Sequence, residues 1–168
     1  MPKALIDRCL PDSIREFRDS ARQRFDDGLV AAANDRRTAA IYLWGYTAEM
    51  TLKAAYFAAL GFNDDQEITI VDLKEAVKFG TSLMISWPKK EQLHCVRAWA
   101  ATLVARRSSM PGTAYEIPGF GIEVERNGQR LERYWNVSLR YHKNVAYVHE
   151  VRRVKESAEW LLANTHLI

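Results

Sequence analysis

Cysteine is almost missing from this chain, which has only Cys9 and Cys95 among its 168 residues. Two isolated thiols build neither a disulfide framework nor a four-ligand zinc site, so a reducing cytoplasm is the expected setting. No His-Glu-x-x-His run, Gly-x-Ser-x-Gly elbow or glycine-rich phosphate loop occurs; Pro118-Gly-Phe-Gly121 lacks the Lys and helix that must follow such a loop. Neither a metal nor a cofactor is expected. The start, Met-Pro-Lys-Ala-Leu-Ile-Asp-Arg, has no apolar stretch of leader length. No run is expected to span a membrane, because Glu49 and Lys53 interrupt the most apolar segment. Repeats and low-complexity tracts are also lacking.

Charge of one sign is in short supply as well. There are 24 basic and 21 acidic residues, a net +3, whereas a dedicated DNA binder gathers its cations on one face. Arg36-Arg37, Arg106-Arg107 and Arg152-Arg153 lie apart and read as solvated helix surfaces. Cys95 follows His94 but is no expected nucleophile, since adjacent helical residues point about 100° apart. A small buried Cys fits better.

What the chain does have is apolar residues, 48% of the total, recurring at helical spacing, in a length suited to one core. Asp12 is placed to cap a helix on which Ile14, Phe17, Ala21, Phe25 and Leu29 share a face. From Arg37 to Leu60 the chain is apolar on nearly every side before Gly61, so this helix must be enclosed by others. Within it Glu49 and Lys53 stand four apart. Buried charges persist when paired, so a structural polar pair is expected rather than a catalytic one. Thr69 or Asp72 opens a shorter helix ending near Leu83, before Trp87-Pro88, and Lys89 to Arg107 reads as another.

Around Asn127-Gly128, the strongest short signal for a type I′ turn, a β-hairpin is predicted from Ile122 to Tyr134. A closing helix is predicted from about Arg140 to Asn164. The expected fold is therefore mainly α, one domain over 1–168. It is a five-helix up-and-down bundle with a small β-hairpin insertion, at about 120–135, before the last helix.

The run Gly45-Tyr46-Thr47-Ala48-Glu49-Met50-Thr51-Leu52-Lys53-Ala54 resembles the signature helix of the HEPN superfamily, where a Gly-Tyr, a Glu and a Leu-Lys-Ala recur at that spacing. The order of elements extends the likeness over roughly two thirds of the chain. The resemblance implies a helical bundle that dimerises. Many members are metal-independent ribonucleases, some of them toxins paired with a nucleotidyltransferase or small antitoxin; others are inactive. Active members carry an Arg followed after four to six residues by a His, often with a Tyr two positions on. Here Arg140 and Tyr147 match, but Val145 stands where the family has its histidine.

Cleavage of RNA without metal needs a base for the 2′-hydroxyl and a cation for the phosphate, and valine is no base. His142 lies two residues from Arg140 and meets it only if the helix starts after it; His149, nine residues on, falls near the opposite helical face. Arg140, Asn144 and Tyr147 would share a face of a helix and are the expected ligand-binding stripe. The leading expectation is a HEPN-like homodimer binding RNA, a nucleotide or a protein partner at the Arg140 end of the last helix, without robust catalysis. The alternatives are a ribonuclease using Arg140 with His142, or with His149 of a second subunit, and a purely structural protein. In the last, Trp44, Trp87, Trp99, Trp135 and Trp160 serve packing or an interface.

Overall fold

The fold is built around α2 (Arg37–Ala59), most of whose side chains are buried, including those of Trp44, Ala48, Leu52 and Phe57. The protein is described here from a computed structural model covering residues 9–90, 92–110 and 118–167. The leader reading of residues 1–8, and Pro111-Gly112, lie outside the described residues.

α1 (Ile14–Ala33) lies along α2. Its cap is Ser13, whose hydroxyl accepts from Glu16 N at 3.2 Å. The expected cap, Asp12, instead gives its carbonyl to Ile68 N at 2.7 Å. Ile14, Phe17 and Ala21 face the core as expected, but Leu29 is exposed. α3 (Ile70–Ser82) opens with a capping box: Thr69 N donates to Asp72 Oδ2 at 2.8 Å and Asp72 N to Thr69 Oγ1 at 3.3 Å. The hydrogen bonds from Thr69 hold the Asp72 carboxyl below its ordinary value, so this cap is intact at neutral pH and weakens as acid protonates it.

The expected helix from Lys89 starts later. A 3-10 turn, Gln92–His94, precedes α4 (Val96–Ser108), and Trp99 Nε1 ties the two together by donating to Leu93 O at 2.9 Å.

The predicted hairpin does not form. No strand occurs among the described residues, and the segment is α5 (Phe120–Glu132), so six α-helices replace the five-helix bundle with its insertion. The reason is a helical spacing that outweighs the turn dipeptide: Val124, Asn127, Gly128 and Leu131 are all buried, at steps of three and four. Asn127 Nδ2 donates to Glu123 O at 2.9 Å. Gly128 is required by closeness, not by a turn, because a Cβ there would lie 2.6 Å from the Ala100 Cβ of α4.

The last helix is shorter than expected. Val137–Tyr141 is a 3-10 turn, residues 142–147 are not helical, and α6 (Val148–Ala163) follows. α4 and α6 both pack on α2, and α5 packs on both of them. No helix among the described residues is long and apolar enough to cross a membrane.

Gly45 of α2 faces Trp135, and a Cβ at that position would overlap the indole ring. Gly45→Ala is expected to lower stability to urea by about 3 kcal/mol, at the upper end of overpacking costs. Gly61→Ala meets open space and only a left-handed φ of +85°, costing about 1–2 kcal/mol. The reverse order of the two would contradict the Trp135 contact.

Candidate functional site

From Arg133 to His149 the chain has no carboxylate, while it carries Arg133, Arg140, Lys143, His142 and His149. This stretch is pinned to α2 at both ends. At its start Trp135 Nε1 donates to Tyr42 O at 3.0 Å, and the indole meets the Tyr46 ring edge-on at 5.6 Å. The turn Val137–Tyr141 therefore packs on α2. Arg140 lies there beside Tyr141 and Tyr42, its guanidinium 4.7 Å from the centre of the Tyr141 ring.

At the other end Asn144 and Thr38 clasp each other's backbone. Asn144 Oδ1 accepts from Thr38 N at 3.0 Å and its Nδ2 donates to Asp35 O at 2.7 Å. Thr38 Oγ1 accepts from Val145 N at 2.8 Å and Ala146 N at 3.0 Å.

This clasp alters the expected stripe. Arg140 sits in a 3-10 turn, Asn144 in non-helical backbone and Tyr147 just ahead of α6, so the three do not share a helical face. Asn144 is engaged as a cap for α2, and Tyr147 N donates to Glu150 Oε2 at 2.8 Å. What the segment presents outward is a ledge of Arg140, Tyr141, His142, Lys143, Val145, Tyr147 and His149, all exposed. Tyr147 and His149 stack at 5.8 Å with 11° between their planes. His142 borders a cavity of about 260 Å³ with Arg36, Thr38 and Asn144.

A second cluster adjoins the ledge through Tyr46. Glu49, buried to 2% exposure, accepts from Lys53 Nζ at 2.5 Å. The Lys53 ammonium also lies 5.6 Å and 5.9 Å from the ring centres of Trp99 and Phe17. The polar pair read from the sequence is thus present, but it has a third member. His94 Nδ1 lies 3.0 Å from Glu49 Oε2 and 3.1 Å from Oε1. A carboxylate paired with an ammonium can only accept, so Nδ1 carries the hydrogen and the far ring nitrogen, Nε2, is not engaged by Glu49.

The His94 side chain is 37% exposed and borders a cavity of about 130 Å³ together with Lys90, Cys95, Glu132, Trp135 and Asn136. Its ring meets that of Tyr46 edge-on at 6.2 Å. Burial, the hydrogen bond to Tyr42 and the charge of Glu49 push the Tyr46 hydroxyl well above its ordinary value, so it remains a donor.

His94 was missed because 45 residues separate it from Glu49. One clue was present: a buried carboxylate with a single Lys partner still has lone pairs to satisfy. Cys95 is buried as expected, and burial pushes its thiol up to about 11. Its Sγ donates to Glu132 Oε2 at 3.4 Å, and that carboxylate also accepts from Arg97 N at 3.2 Å.

Among the described residues no group of three or more His, Cys, Asp or Glu is arranged to hold a metal ion. No protein-family model matches the chain, and no curated protein or solved structure matches it either.

Two outcomes follow from this geometry. Glu49→Ala leaves a buried ammonium unpaired and is expected to cost about 3–5 kcal/mol, with much of the loss recovered in the double variant with Lys53→Met, as read by urea denaturation. Burial keeps the Cys95 thiol protonated at pH 8, so iodoacetamide should label exposed Cys9 and spare Cys95 until the chain unfolds. Equal labelling of the two in native protein would contradict the burial of Cys95.

Proposed function

We propose that this chain is a HEPN-like module that binds single-stranded RNA along the Arg140–His149 ledge and the adjoining tyrosine face of α2. The observation that carries the reading is the coincidence, on one pinned and exposed segment, of cations with aromatic rings and no acid. Tyr141 and Tyr147 are 76% and 66% exposed, an arrangement that costs solvation and suits a surface that stacks on unpaired bases. Arg140 adds a planar fork for phosphate, and Lys143 and His142 lie beside it in sequence. Single strands suit this ledge better than a duplex, because a duplex hides the faces of its bases.

A partner surface made of tryptophans has less support. Trp44, Trp99 and Trp135 are buried, while Trp87 and Trp160 are half-buried and packed on the core. The homodimer implied by the HEPN resemblance is part of the proposal and is read from the mass in solution.

The test is fluorescence anisotropy with a labelled oligouridine RNA between 50 and 200 mM salt. Arg140→Ala is expected to weaken binding about tenfold and to flatten the salt slope by about 0.7, the share of one phosphate contact on a single strand. Tyr141→Ala and Tyr147→Ala are each expected to lose about 1–3 kcal/mol of stacking. Tight binding that ignores all three changes would place the RNA elsewhere.

A further inference from the structure

We propose that the cavity between the end of α2, α3 and the end of α4 binds a free amino acid with an aromatic or branched apolar side chain, its carboxylate on Arg106 and its ammonium facing Asp72 and Glu75. None of the residues lining this cavity belongs to the ledge, and the site does not rest on the RNA reading. The cavity exists because α3 packs chiefly on α4 and on the 3-10 turn before it, standing off the end of α2. It holds about 300 Å³, the space of about ten waters, which matches a ligand of about a dozen non-hydrogen atoms.

Arg106 is not the solvated surface residue that its sequence suggests. Its side chain is half-buried, with the guanidinium 4.1 Å from the centre of the Phe79 ring and 6.0 Å from that of Tyr56. Nε is buried without a hydrogen-bond partner, and the guanidinium makes no ion pair among the described residues. Rings from α3 and α2 therefore hold this cation where an acid would ordinarily hold it. Its outer nitrogens remain to donate as a planar pair, the geometry that takes a carboxylate in two parallel bonds.

The opposite charges of the cavity do not meet. Asp72 and Glu75 line it from α3, but they are engaged elsewhere: Asp72 Oδ2 accepts from Thr69 N at 2.8 Å, and Glu75 Oε1 from Lys78 Nζ at 2.5 Å. Each carboxylate keeps its second oxygen outside these bonds. One cation and two anions held apart across a single cavity are matched by a ligand that carries both signs. A plain acid leaves the carboxylates unmatched, and a plain amine leaves Arg106 unmatched.

Between the two signs the wall is aromatic. Ring centres lie 5.2 Å apart for Phe57 and Phe62, 5.4 Å for Tyr56 and Phe57, and 6.4 Å for Tyr56 and Phe79, and all four rings line the cavity. Such a wall takes an apolar side chain by burial and an aromatic one by ring contacts as well. A nucleotide fits less well. Its phosphates would bring several negative charges to two carboxylates, with Arg106 the one cation lining the cavity among the described residues.

The test is isothermal titration of the full chain with L-phenylalanine, and with phenylethylamine and 3-phenylpropionate, which lack the carboxylate and the ammonium respectively. L-Phenylalanine is expected to bind with a Kd of about 100 μM, within the ligand-efficiency bounds for its size. Each truncated analogue is expected to bind at least about tenfold more weakly. Arg106→Met keeps the stem over Phe79 and removes the fork; it is expected to weaken L-phenylalanine at least about tenfold with an unchanged circular dichroism spectrum. Arg106→Lys, which keeps the charge without the fork, is expected to fall between the two. Glu75→Gln, at an exposed side chain, is expected to cost about threefold. No heat of binding from L-phenylalanine, L-leucine or L-isoleucine up to about 10 mM, a hundredfold above that Kd, overturns the site. Equal affinity for either analogue overturns the two-signed ligand, and affinity unchanged in both Arg106 variants overturns the assignment of the carboxylate.

Discussion

The carboxylate of Glu49 is the constraint on which the remaining structure turns. It lies on the helix against which α1, α4 and α6 all pack, and it is buried. An ionised group there costs several kcal/mol unless its lone pairs are met. Lys53, one turn on, meets one oxygen; that ammonium is itself accommodated by two aromatic rings. The other oxygen draws in His94 from the connection between α3 and α4. One buried charge thereby ties a loop to the central helix and aims a ring from the core toward solvent. The half-exposure of His94 gives this otherwise closed network an outlet.

The close approach of Trp135 to Gly45 does for the ledge what Glu49 does for His94. Without a side chain at Gly45 the indole reaches the α2 backbone and donates to Tyr42 O, and the turn carrying Arg140 is set down on Tyr42. Residues 142–147 have no helical ladder of their own. They are held instead by Thr38 and Asn144, each satisfying backbone groups of the other's segment. A surface fixed in this way loses little conformational freedom when a ligand lands on it. The exposed rings of Tyr141 and Tyr147 thus stand on a rigid base although no regular element supports them.

How much of this was legible in the sequence depends on whether the controlling contact was local. The enclosure of α2 was legible, because a helix apolar on all sides has no wet face. So was the opening of α3 at Thr69 or Asp72, which the structure resolves into a cap made by both, within one turn. Asp12 lost its expected role to Ser13 by a single position. The expected hairpin fails because Asn127-Gly128 is a turn signal only as an isolated dipeptide, whereas Val124, Gly128 and Leu131 set a helical period around it. The helical start at Arg140 failed for a tertiary reason: Asn144 and the backbone after it bond to Thr38, more than 100 residues away. Glu49 and Lys53 were legible as a pair; His94 was not, since no spacing rule reaches 45 residues.

At Val145, where the sequence departs from the HEPN motif it resembles, the backbone is fixed by Thr38. Spacing between an Arg and a His carries chemical meaning only where a helix converts it into distance. Here the backbone between Arg140 and Tyr147 is a 3-10 turn followed by a non-helical stretch, and Val145 N is bound to Thr38. A histidine at that position would lie outside the helical register the motif assumes. The held imidazole of His94 and the cation of Arg140 sit on separate elements, both set against tyrosines of α2.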